Sequence, residues 1–139
     1  MKNLVKFILF LLIVFFALSC NRPENILNRN LGFKLPQKIK LKTFEDKWNK
    51  NASGDGYTLV IYEFDKSECE YLTNNCTSLK FFKLPILENL PDATIYKYIS
   101  KQDSRGFYKI KIDNVDKRDY YITIVDFQTL QIIYYYVLN

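Results

Sequence analysis

Residues 131–138 read QIIYYYVL. In an extended chain, side chains alternate between faces. Ile132, Tyr134, Tyr136 and Leu138 therefore point one way, and Ile133, Tyr135 and Val137 the other. Neither set is polar. A strand with one wet face would alternate apolar and polar residues, so this stretch predicts a sheet that is greasy on both sides.

The same alternation recurs upstream. Tyr120–Val125 (YYITIV) and Phe107–Ile112 (FYKIKI) read as strands, separated by polar breaks at 113–119 and 126–129. Connections this short favour an antiparallel meander. Tyr57–Phe64 (YTLVIYEF) is β-branched and aromatic, and it follows Ser53-Gly54-Asp55-Gly56, a turn signal. Ile39–Trp48 is positioned to pair with it as a hairpin, and Ala93–Ser100 could add a sixth strand. Lys38, Lys40 and Lys42 alternate with Ile39 and Leu41 as a solvated strand face would. The sharper reading of that basic window is attraction to anionic headgroups. There is no internal repeat.

One segment follows a different period. Ser67-Glu68-Cys69-Glu70 matches a capping box, with Ser67 as cap. Cys69, Leu72, Cys76 and Leu79 then recur at three- and four-residue steps, as on one helix face, and the helix should stop near Phe82, before Pro85. Seven residues along a helix span about 10.5 Å, beyond the roughly 7 Å that a bridge tolerates. Cys69 and Cys76 could therefore form a disulfide only if the helix broke at Asn74-Asn75. The helix is the preferred reading. The expected fold class is α+β: a mostly antiparallel sheet of five to six strands with one helix packed on a face.

The N-terminus has the parts of an export signal. Lys2 and Lys6 precede an apolar run from Phe7 to Leu18, and small residues come before Cys20. Twelve residues rise only about 18 Å as a helix, short of a hydrocarbon core of roughly 30 Å, so a leader is favoured over a permanent membrane helix. An ordinary signal peptidase could cut after Ser19. Ala17-Leu18-Ser19-Cys20 also resembles the lipobox of bacterial lipoproteins, in which small residues precede a cysteine that becomes the acylated N-terminus. Here Ala17 stands where that family prefers leucine. The resemblance covers the first twenty residues and implies palmitate-type chains on Cys20, a membrane partner and, with Asn21 next, sorting to the outer membrane. Cysteine arithmetic agrees: lipidation consumes Cys20 and leaves Cys69 and Cys76 as a potential pair, whereas plain secretion leaves an odd thiol among three. The expected organisation is 1–19 signal peptide, 20–31 lipidated tether rich in asparagine, and 32–139 one α+β domain.

Much chemistry is missing. The chain has no histidine, which removes Ser-His-Asp and Cys-His catalysis and His-ligated zinc. Its four glycines form no phosphate loop. The acidic run 113–119 lacks the glycine and terminal glutamate of an EF-hand and fits turn chemistry. Glu45/Asp46 and Glu68/Glu70 are carboxylate pairs, yet neighbours on a strand diverge, as do residues two apart on a helix. No enzyme, cofactor or metal is expected. With 20 basic against 15 acidic residues, the charge does not mark a nucleic-acid binder. Eight of the eleven tyrosines follow Ile95, and one helix covers only part of a sheet. Tyr120, Tyr121, Tyr134, Tyr135 and Tyr136 are therefore the candidate binding surface for an envelope protein or saccharide. Alternatives are a passive spacer lipoprotein, or an immunity-type protein that blocks an envelope-acting toxin.

Overall fold

A computed structural model describes residues 22–48, 55–87, 89–90, 93–99 and 105–138. The leader, Cys20 and the turn residues Ser53 and Gly54 lie outside that set. Six antiparallel strands form one sheet: β1 (Ile39–Trp48), β2 (Gly56–Phe64), β3 (Phe82–Lys83), β4 (Gly106–Ile112), β5 (Tyr120–Asp126) and β6 (Gln131–Leu138). Their order is β1-β2-β6-β5-β4-β3. The β1–β2 hairpin and the β4-β5-β6 meander follow the predicted pairings, and β2 against β6 joins them.

Both faces of the sheet are buried, by different means. On one, Val60, Tyr62, Phe64, Phe107, Val125, Ile132 and Tyr134 pack beneath two short α-helices, α1 (Pro23–Leu31) and α2 (Cys69–Ser78). On the other, Leu59, Ile61, Tyr108, Ile122, Ile124, Ile133 and Tyr135 meet Ile95 and Ile99, with Leu84, Ile86 and Leu90 alongside. The segment between β3 and β4 is therefore the second cover. Its residues Ala93–Lys97 form a 3-10 helix rather than the expected strand. Ile95 and Ile99, four apart, both turn onto the sheet, a spacing that a helical turn satisfies and a strand also would; the edge place beside β4 is taken by β3.

Two helices, not one, cover the first face, and the extra one replaces most of the expected tether. Pro23 occupies the first turn, where its missing N–H costs nothing. Gly32, at φ 79°, closes the other end and donates its N–H to Asn28 O at 3.1 Å. Between them Leu27 and Leu31, one turn apart, are both wholly buried. The asparagines are used rather than tolerated: Asn28 Oδ1 accepts from Leu35 N at 2.7 Å, and Asn30 Nδ2 donates to Ile26 O at 2.7 Å. Tertiary burial, the proline of the first turn and the glycine C-cap override weak helix propensity. Among the described residues, Pro23–Leu31 is thus packed with the sheet as part of the folded unit.

The second helix also departs from expectation at its ends. Asp65, not Ser67, is the cap: its Oδ1 accepts from Ser67 N at 2.8 Å and starts a 3-10 turn, Lys66–Glu68, that runs into α2. The helix stops at Ser78 in a Schellman motif, with Phe81 N donating to Cys76 O at 2.9 Å and Lys80 N to Thr77 O at 3.1 Å. Lys80 holds the left-handed position, φ 56°, that glycine usually marks. Leu72 and Cys76 are buried and Leu79 is exposed. Cys69 and Cys76 are free thiols on this one helix. Burial pushes the Cys76 thiol up to about 12.

The sheet's edges are guarded. β3 is two residues long. β1 carries a bulge between Leu41 and Thr43 and exposed Lys40, Lys42 and Lys47, devices that discourage pairing with another chain. Lys42 bridges Glu63 at 2.8 Å. With Glu63 beside Lys42, and Asp65 and Glu68 beside Lys38, part of the basic window is offset by carboxylates at this strand edge.

Two outcomes are expected. Leu27→Ala and Leu31→Ala should each cost about 2–5 kcal/mol in chemical denaturation, as for other buried leucines; a tether would lose nothing. Folded protein at pH 8 should keep Cys76 unalkylated by iodoacetamide, with full labelling after denaturation, because only the thiolate reacts.

Candidate functional site

The helices cover only part of their face. Beyond them, strand register lines up Asp46, Thr58, Tyr136, Tyr121 and Lys111 in one row across β1, β2, β6, β5 and β4. Trp48, one pleat further along β1, leans over this row, its ring 5.5 Å from that of Tyr136 and tilted 51°. Gly56 makes this possible. It stands opposite Trp48 on β2, and a Cβ there would come within 2.8 Å of the indole and 2.5 Å of Lys47 O. Without a side chain at 56, the indole lies across the neighbouring strand.

Two open clefts meet at Tyr136. One, of about 340 Å³, is lined by Trp48, Asp46, Thr58 and Tyr134 from the sheet, with Ile26, Arg29 and Asn30 of α1 as its wall. The other, of about 190 Å³, lies among Tyr120, Tyr121, Leu138, Lys111, Asp113 and Asp119. Asp46 Oδ1 anchors the first, accepting from Trp48 Nε1 at 2.6 Å and Thr58 Oγ1 at 2.7 Å. This triangle fixes the indole plane.

The second cleft ends at the β4–β5 turn. Asp113 Oδ1 accepts from Val115 N at 2.7 Å and Asp116 N at 3.1 Å. These backbone donors, Val115 first, hold its carboxyl below the usual carboxylate range. Burial, helped by Asp119 and Asp113, raises the Tyr136 hydroxyl. Burial likewise pushes Tyr134 up to about 12. Both phenols stay protonated at neutral pH and can donate. Among the described residues, no group of three Cys, Asp or Glu side chains is placed to hold a metal, and no helix is long and apolar enough to cross a membrane.

The five tyrosines singled out from sequence do not form one surface. Tyr120 and Tyr135 pack against each other in the core of the opposite face, ring centroids 6.0 Å apart, each 2 % exposed, although Tyr120 also borders the second cleft. Period-two alternation separates them from Tyr121, Tyr134 and Tyr136, which do come together on the helical face. Of these, Tyr134 is buried, while Tyr121 and Tyr136 are half-buried and face the clefts. The carboxylate pairs separate as well. Glu45 turns away from Asp46 to accept from Tyr57 Oη at 2.7 Å and Lys47 Nζ at 3.0 Å, and Glu68 Oε1 accepts from Lys38 N at 3.2 Å. Sequence reasoning missed Trp48, Thr58 and Lys111, and weighed Asp46 only as half of a carboxylate pair. The signal was the hairpin register, which places Asp46 opposite Thr58. It missed Arg29 and Asn30 because they were assigned to a tether.

Comparison of the chain with protein-family models, with curated proteins and with solved structures returns no significant match.

Gly56→Ala should displace the indole from the row. The expected readout is a red shift of tryptophan emission in a protein that keeps its far-UV circular dichroism; unchanged emission would mean that the glycine does not set the position of Trp48.

Proposed function

We propose that this protein is a small bacterial lipoprotein, acylated at Cys20, whose domain is a non-catalytic binder displayed at the cell envelope, with the row across the strands as its contact surface. The observation that carries the binding role is the half-buried aromatic group of Trp48, Tyr136 and Tyr121, left uncovered where α1 and α2 end and rimmed by polar side chains. Aromatic side chains with one wet end are characteristic of contact sites. Along the central strands β2, β6 and β5 most other residues are buried on both faces, so a spacer would have no use for this opening. The groove offers no general acid at Asp113. Its carboxyl is occupied by its own turn and held too acidic to donate a proton at neutral pH.

Anchoring rests on the leader and its lipobox-like end. Only Asn21 and Arg22 stand between Cys20 and α1. The acylated domain would therefore lie against the bilayer rather than on a long leash.

Two measurements test the reading. Intact mass of the envelope-extracted protein should correspond to a chain starting at Cys20 with two or three acyl chains; a retained Met1 or an unmodified thiol would end the lipoprotein assignment. Detergent-solubilised mature protein should be retained on delipidated host envelope, and Tyr121→Ala combined with Lys111→Ala should reduce retention at least tenfold. Equal retention would remove the row from the contact surface.

A further inference from the structure

We infer that the row across the strands takes a linear, uncharged saccharide laid perpendicular to the strands, an assignment that rests on the binding role proposed above. Five strands span four interstrand gaps of about 4.8 Å, so the row is about 19 Å long. It is continuous, because Tyr136 belongs to both clefts. It is also narrow, walled on one side by Ile26, Arg29 and Asn30 of α1. A protein partner of ordinary size needs a broad patch of about 800 Å² on each side. A single extended chain needs only a row of this length along that wall.

The chemistry of the lining selects the class. Charges of both signs stand in each cleft: Arg29 with Asp46 in one, Lys111 with Asp113 and Asp119 in the other. No field of one sign results that would concentrate phosphate, nucleic acid or a cation. What remains is a set of tilted aromatic faces alternating with a carboxylate, an amide, a guanidinium and protonated phenols. Sugar rings match this pattern, since their C–H faces rest on aromatic rings while their hydroxyls both donate and accept at the ring edge. Chains joined by β-1,4 bonds are flat and extended, as a row crossing a sheet requires. Asp46 is suited to such a ligand. Both of its hydrogen bonds to Trp48 and Thr58 fall on Oδ1, and among the described residues Oδ2 takes no further bond, leaving an acceptor beside the indole.

Trp48 is the chain's one tryptophan, so its emission reports on the groove. Mature full-length protein in detergent would be titrated with cellotetraose and chitotetraose. At least one should produce a saturable change, with the matching disaccharide at least tenfold weaker because it reaches only part of the row. Tyr136→Ala and Tyr121→Ala should each weaken the tetrasaccharide at least tenfold. Tyr121 is half-buried at the margin, so its variant keeps the test decisive should Tyr136→Ala fail to fold. No saturable response to either tetrasaccharide, or a response that Tyr121→Ala leaves intact, overturns the assignment. If envelope retention nevertheless depends on Tyr121 and Lys111, the binding role stands and only the saccharide class falls; if retention is also indifferent to them, both fall.

Discussion

The domain depends on burying both faces of β6. Ile132 and Tyr134 on one side, and Ile133, Tyr135 and Val137 on the other, are all in core clusters. Such a strand cannot lie at the surface of an open sheet without leaving one apolar face in water, at about 25 cal/mol for each Å² exposed. Two covers are therefore obligatory. They come from separate parts of the chain: the α1 and α2 helices on one side, and the segment between β3 and β4 on the other. The β2–β6 pairing then binds the N-terminal hairpin to the C-terminal meander.

Function enters where this cover is unequal. The segment between β3 and β4 brings Ile95 and Ile99 against β5 and β6, and Tyr120 and Tyr135 are sealed with them. On the helical face, α1 and α2 are short, and the row from Asp46 to Lys111, apart from buried Thr58, is left open. Tyr120 and Tyr135, under that segment, are thus packing groups, while an aromatic side chain on the helical face is a packing group or a contact group according to how far along the strand it stands. Tyr134 and Tyr136, two residues apart on β6, fall on either side of that divide.

Helix α1 links three roles in nine residues. Its leucines seal the core, and Arg29 and Asn30 wall the groove. Its first turn follows the proposed acylation site after Asn21 and Arg22. From Pro23 to Asn30 the helix advances about 10 Å, so an anchor at Cys20 would hold the groove close to the membrane surface. A ligand reaching it must then be presented near the headgroups rather than far into the surrounding space. Attachment and recognition would then lie within a few residues of each other in the chain.

The sequence by itself determined the strands, because period-two alternation of β-branched and aromatic residues is a local property of an extended chain. Ile39–Trp48 and Gln131–Leu138 agree with the structure end to end, and the three other long strands agree to within a residue. The need for two covers was equally legible in QIIYYYVL. Only the tertiary structure decided what supplies them. Residues 23–31 lack propensity and gain their helix from burial of Leu27 and Leu31, while Ala93–Lys97 alternates like a strand yet coils to place Ile95 and Ile99 on the sheet. The groove was hidden for the same reason. Its members are distant in sequence and become neighbours only through cross-strand register, and whether a tyrosine is sealed or open depends on a cover whose length no local pattern encodes.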